Sequence, residues 1–295
     1  MTKSLLQPMR IPFLILTPAC VLLGISTAIW QNGRVNVWHT ILILIGAIAA
    51  HISVNVFNEY FDFKSGLDAL TQRTPFSGGS GALPINPELE KPTLALAWIT
   101  FAITASVGIY FAYTRGWQIL PLGFVGLFLL YAYTPWLSRN PFLCLIAPGL
   151  GFGILMVVGT HFALNGKFSM ASFIASLIPF FLVNNLLLLN QFPDLKADGT
   201  IGRKHFPLLI GRRKSSLIYG IFLVLAYTMI VLGVVFDYMP ISTLLGTLTL
   251  VIAVPAAIGA YRHADDIRKL APMLGMNVLL NIFTPILTAI GFFVS

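Results

Sequence analysis

Two clusters of Asn and Asp interrupt a chain that is otherwise mostly apolar. The first reads Asn58-Glu-Tyr-Phe-Asp62-Phe-Lys64-Ser-Gly66-Leu-Asp68; its Asn58 and Asp62 are four residues apart and share a helical face. Asp68 lies six residues further on, a spacing that a straight helix would rotate off that face. Ser65-Gly66 supplies the break that can bring it back, because glycine takes the conformations that end helices. In the second cluster Asn190, Asp194 and Asp198 follow at i, i+4 and i+8, one face throughout. Oxygen donors of this kind suit Mg²⁺, which keeps several waters and is shared between protein carboxylates and substrate phosphates. Carboxylates alone would repel a diphosphate. With Mg²⁺ and a ring of Lys and Arg they would hold one, and Lys64, Arg73, Lys196, Arg203 and Lys204 lie in the two loops to form that ring.

A single carboxylate at a membrane edge reads as a solvated charge, and Glu88, Glu90, Asp265 and Asp266 are read so. The matched clusters are different: Asn58 and Asn190 stand where long apolar runs end, and an unpaired amide is costly to bury there.

The elements that must position these residues are membrane helices. The chain has 295 residues, 57% hydrophobic and only 9% charged, with a mean hydropathy of +0.86, whereas soluble domains carry about a quarter charged residues. Nine apolar stretches have bilayer-crossing length: 11–30, 38–58, 92–114, 117–137, 141–163, 170–192, 215–236, 240–261 and 272–293. The expected fold is therefore all-α, a polytopic bundle of nine transmembrane helices forming one domain over 1–295, with the active site at its cytoplasmic mouth. With nine crossings, all of the 18 Lys and Arg except Arg34, Arg115 and Lys167 fall on one side, Lys3 included. By the positive-inside rule that side is cytoplasmic, so the N-terminus and motif loops face the cytoplasm and the C-terminus faces out. The same rule, with anionic lipid headgroups, accounts for the net charge of +8 without nucleic acid. The expected localisation is the cell membrane, and no protein partner is implied.

Other features read as packing. Cys20 and Cys144 sit in apolar runs without metal or redox spacing. The glycines of Pro148-Gly-Leu-Gly-Phe-Gly153 point to a kinked or closely packed helix. Ser77-Gly-Gly-Ser-Gly81 reads either as a flexible lid or as a backbone cradle for phosphate. His51, His161 and His205 have no second ligand at zinc spacing. The first apolar run is longer than the core of a signal peptide and reads as a span. Helices 2 and 6 each end in Asn-x-x-x-Asp on the same side, a weak parallel duplication.

The two clusters resemble the paired aspartate-rich motifs of the UbiA-type intramembrane prenyltransferases, and the likeness covers the chain from end to end. It implies Mg²⁺-dependent transfer of an isoprenyl group from its diphosphate to an acceptor, commonly an aromatic ring. It also implies that Asn58, Asp62 and Asp68 form one metal–diphosphate motif and Asn190, Asp194 and Asp198 the other. The first motif is most similar to the menaquinone-pathway branch, whose acceptor is 1,4-dihydroxy-2-naphthoate; 4-hydroxybenzoate or another quinone or lipid precursor is the alternative. By the same resemblance Tyr133 and Arg139, at the end of the fourth helix, are substrate contacts; as residues they read equally as an interfacial aromatic and a topology charge. The Gly202-Arg-Lys-His-Phe-Pro207 loop and the 73–81 stretch depart from the familiar members.

Two other classes fit less well. Asp198-Gly-Thr-Ile-Gly-Arg203 has a trace of the CDP-alcohol phosphotransferase motif, but its upstream Asp is misplaced and the downstream acids are missing. A transporter would place ionisable groups near the bilayer midplane on broken helices, whereas these acids gather at one face.

Overall fold

The structure is a computed structural model, described for residues 5–71, 73–74 and 77–295. Lys3 of the topology count, and Pro75 and Phe76 of the 73–81 stretch, lie outside the described residues. Among those residues the fold is all-helical, with no strand. Nine apolar helices follow in order: α1 Ile11–Asn32, α2 Val37–Lys64, α3 Pro87–Arg115, α4 Trp117–Ala132, α5 Pro141–Asn165, α6 Met170–Thr200, α7 Arg212–Val235, α8 Ile241–Arg262 and α9 Ile267–Phe293.

Eight of these helices are long and apolar enough to cross a membrane. The exception is α4. The expected run of 117–137 stops at Ala132, since Pro135 disfavours helix at Thr134 and the chain turns into the short helix Leu137–Arg139. At 1.5 Å per residue α4 reaches about 24 Å, short of a hydrocarbon core of about 30 Å. By contrast α6, with 31 residues, reaches about 46 Å and carries its last turns beyond that core.

Packing is closest where side chains are smallest. In α5 a π turn over Leu150–Leu155 sets Gly149 and Gly153 against α6. A Cβ on Gly149 would strike the Phe180 carbonyl, and one on Gly153 would stand 2.5 Å from the Phe180 amide. The Gly149 N–H instead donates to Asn184 Oδ1 at 2.6 Å. Gly151, between them, faces open space. The packing expected of this segment thus belongs to two of its three glycines. Cys20 and Cys144 are both buried free thiols. The largest core joins α1, α5, α6, α7, α8 and α9, while α2 packs along α3 in a smaller one. Between these halves, α2 to α6 enclose a cavity.

Candidate active site

The local sequence explains how six polar side chains reach that cavity. Helix α2 ends at Lys64, Gly66 takes a left-handed φ of 79°, and the chain re-enters a single helical turn, Leu67–Leu70, that carries Asp68. This is the break the Ser65-Gly66 pair suggests. Helix α6 continues through Pro193 to Thr200, which keeps Asn190, Asp194 and Asp198 on one face. All six line a cavity of about 600 Å³, together with Tyr133 and Arg203.

Arg203 joins the motifs. Its guanidinium donates to Asp62 Oδ1 on α2 and, at 3.0 Å, to Asp198 Oδ1 on α6. Burial alone would weaken its charge, but Asp62 and Asp198 outweigh burial and hold its pKa above the ordinary value. His205 braces the same carboxylate: Nδ1 accepts from the Leu208 N–H, so Nε2 carries the proton and donates to Asp198 Oδ2 at 3.0 Å.

A second cation closes the other side. Arg10 donates from Nε and Nη2 to Glu59 Oε1 at 2.9 and 2.7 Å, and from Nη2 to Asn58 Oδ1 at 2.9 Å. Asn58 in turn donates to Thr134 Oγ1 at 3.2 Å. Glu59 is fully buried and also accepts from the Ser80 amide and hydroxyl, both at 2.7 Å. The glycine-rich stretch is therefore tied down: Ser80 holds Glu59, while the Ser77 hydroxyl and Gly78 amide donate to Asp194. Gly78, Gly79 and Gly81 all have left-handed φ, and a Cβ on Gly79 would stand 3.0 Å from Asp68 Oδ1.

Three acceptor oxygens in this cavity, Asp68 Oδ2, Asn190 Oδ1 and Asp194 Oδ1, are buried without a hydrogen-bond partner. Such groups are costly to leave unpaired, and they are the hard oxygens that Mg²⁺ takes. No three His, Cys, Asp or Glu among the described residues form a ready-made metal cage. Mg²⁺ commonly completes its shell with water and substrate phosphate. Burial, with repulsion from Glu59 and Asp62, pushes the Asp68 carboxyl up to about 7.

The expected ring of cations is smaller than its sequence suggests. Lys64 pairs with Glu90 at 3.0 Å outside the cavity. Arg73 is exposed, its guanidinium lying against Gly81. Lys204 is exposed and contributes only a backbone N–H, to the Ser138 carbonyl at 3.1 Å. Arg139 is exposed at the end of its turn. None of the four lines the cavity, because long charged side chains at a membrane edge gain more by reaching water. Tyr133 does line it, with Oη 3.7 Å from Cys144 Sγ, which also receives Gln191 Nε2 at 3.3 Å. The sequence reading missed Arg10, Glu59 and His205 as site residues. Glu59 lay inside the quoted motif, but one position from Asn58 and so on another face.

A profile of the UbiA prenyltransferase family matches residues 17–283. The chain is 28% identical to the 1,4-dihydroxy-2-naphthoate octaprenyltransferase of Bacillus subtilis, over 72% of this chain and 67% of that one. It is 23% identical to the 2-carboxy-1,4-naphthoquinone phytyltransferase of Synechocystis, over 94% and 89%. It is 26% identical to the digeranylgeranylglyceryl phosphate synthase of Pyrococcus horikoshii, over 75% and 78%. Among solved structures it superposes on a UbiA homologue from Aeropyrum pernix with a TM-score of 0.70 at 15% identity, covering 94% of this chain and 97% of that one. A UbiA homologue from Archaeoglobus fulgidus bound to DMAPP and Mg²⁺ gives a TM-score of 0.61 at 14% identity, covering 98% and 100%.

Proposed function

The chain belongs to the UbiA prenyltransferase family, as a multi-span membrane enzyme, and from that premise we propose Mg²⁺-dependent transfer of an isoprenyl group from its diphosphate to 1,4-dihydroxy-2-naphthoate. The observation that carries the reading is the convergence of both Asn/Asp motifs on one cavity with three buried, unpartnered oxygens. Two relatives named for naphthalene-ring acceptors favour the naphthoate; 4-hydroxybenzoate is the alternative ring. The relative from Archaeoglobus fulgidus, bound to DMAPP and Mg²⁺, supports the donor and the metal.

Asp68, Asn190 and Asp194 present the free oxygens for Mg²⁺, and Asp62 and Asp198 add theirs once Arg203 turns to the donor. Asn58 keeps its carbonyl oxygen on Arg10. Bound there, Mg²⁺ would neutralise the diphosphate leaving group. Arg203 sits between the motifs, where the diphosphate's negative charge grows as the allylic C–O bond breaks and its electron pair departs. The tail lies along the apolar lining toward Phe111, Ile119 and Phe124. Phe152 and Tyr133 line the same cavity, and their ring faces can stabilise the allylic cation. A ring carbon of the acceptor then gives its electron pair to the new C–C bond, and its C–H bond breaks, the proton passing to the released diphosphate as the ring regains aromaticity.

The whole chain acts as one unit. In this reading α4 completes a ninth crossing by tilt or local thinning of the bilayer, with the N-terminus and motif loops in the cytoplasm of a cell whose plasma membrane holds the protein. The deciding assay incubates purified protein with a long-chain isoprenyl diphosphate and both acceptors in competition. Prenylated naphthoate is the expected product, lost on chelation and reduced at least about a hundredfold by Asp62→Ala or Asp194→Ala with the bundle still folded. Near-wild-type turnover by both variants would end the two-motif assignment, and product from 4-hydroxybenzoate alone would end the naphthoate one.

A further inference from the structure

On the cavity face of α2 the polar side chains form one stripe. Asp62, Asn58, Asn55 and His51 all line the cavity, and their spacings of four, three and four keep them on one side of the helix. Three of the four have evident tasks. Asp62 meets Arg203, Asn58 meets Arg10 and Thr134, and Asn55 Nδ2 donates to the Met9 carbonyl at 3.1 Å.

His51 stands alone at the inner end, seven residues and so about 10 Å below Asn58 along the helix axis. It is held firmly. Nδ1 shares a hydrogen bond of 2.8 Å with Thr17 Oγ1 on α1, and the ring meets Phe152 of the α5 π turn edge-on, centroids 4.6 Å apart. That leaves Nε2 as the polar atom for the cavity. A hydrocarbon tail has no use for it, and an imidazole nitrogen left against one would cost free energy. The Lys and Arg lining the cavity are Arg10 and Arg203, both at the mouth and both spent on carboxylates. An anionic substituent therefore has no cation at the depth of His51. A hydroxyl needs none.

We propose that His51 is a specificity-determining residue, whose Nε2 hydrogen-bonds a ring hydroxyl of the aromatic acceptor on the membrane side of the diphosphate. This rests on the prenyl-transfer reading above. It orients the acceptor with any carboxylate toward the mouth and a hydroxyl toward the bilayer interior.

The two imidazole nitrogens separate by substitution. His51→Gln places an amide near the position of Nε2; His51→Asn reaches only as far as Nδ1; His51→Leu supplies neither. With 1,4-dihydroxy-2-naphthoate, the Asn and Leu variants should raise the acceptor KM about tenfold, the worth of one hydrogen bond. The donor KM should stay within about twofold, and the Gln variant should recover most of the loss. With 1-hydroxy-2-naphthoate, which lacks the second hydroxyl, wild type and His51→Leu should differ by no more than about twofold. Equal acceptor KM in wild type and His51→Leu, parallel changes in donor and acceptor KM, or Asn serving as well as Gln would each overturn the inference. Calorimetry of wild type with Mg²⁺ and a non-hydrolysable isoprenyl diphosphate analogue runs alongside. Absence of binding there would overturn the prenyl-transfer reading itself, whereas donor binding with an unaltered acceptor KM would defeat only the role of His51.

Discussion

Arg203 reaches Asp62 across 141 residues of sequence, and with its second nitrogen on Asp198 it is the ion-pair bridge by which the α6 motif holds the α2 motif. The side chains of Asp62, Asp198 and Arg203 are 9%, 3% and 17% exposed. Removing the cation leaves two buried carboxylates facing each other. Arg203→Ala should therefore cost about 3–5 kcal/mol of stability. Thermal melts in detergent measure it, and Mg²⁺ should recover more stability in the variant than in wild type. Equal Mg²⁺ stabilisation of the two proteins would show that the metal and the guanidinium do not serve the same carboxylates.

The acidity of Asp68 gives a pH test. Its folded pKa of about 7 lies above the ordinary 3.8, so folded protein binds the proton more tightly than unfolded protein does. Its contribution to stability is full below about pH 4 and is lost as the pH rises through 7. Metal-free protein should melt lower at pH 8 than at pH 5.5, and Mg²⁺ should narrow that gap. Asp68→Asn, uncharged at either pH, should flatten this dependence; an unchanged slope would clear Asp68 of causing it.

Gly149, just before the α5 π turn, and Gly151, inside it, should separate by role. Gly149→Val drives carbon into the Phe180 carbonyl and Asn184, so the variant should fail to yield folded protein by size-exclusion chromatography. A Cβ on Gly151 would meet nothing within 4 Å, and Gly151 lines the cavity, so Gly151→Leu has room there. It should fold, and product analysis should show a shift toward shorter isoprenyl donors. An unchanged chain-length profile would place the tail elsewhere.

A reporter fused to Ser295 tests the short helix. With α4 crossing, the C-terminus lies opposite the motif loops, and a phosphatase fusion should be active outside the cell while a fluorescent one stays dark. The reverse pattern would mean that α4 does not cross.

The six Asn and Asp positions were legible because helical spacing is a local property, and both motifs sit at the ends of runs whose hydropathy fixes where they end. Gly66 was legible for the same reason. What could not be read was the direction a cation takes from a loop. Lys64, Arg73, Lys204 and Arg139 have the composition of an anion site, yet none of them lines the cavity. Arg10, read as one topology charge among many, is the residue that meets Asn58 and Glu59. Its partners lie 48 and 49 residues away, and only tertiary packing of α1 on α2 selects them. The fourth span was overestimated because Thr134, Pro135 and Trp136 prolong the apolar signal after the helix has ended.

Four acids, Asp62, Asp68, Asp194 and Asp198, line the cavity with the guanidiniums of Arg10 and Arg203, and a fifth, Glu59, is buried behind Arg10. With all of them ionised, such a mouth is a poor receiver for a bare diphosphate. It dictates an order of events: the divalent ion arrives first or travels with the donor, so the true substrate is the metal complex. Turnover then has a matching end, in which diphosphate leaves with its metal for the water and the prenylated ring leaves for the lipid. An excess of free metal should hasten the first arrival and, through product retention, slow the last departure.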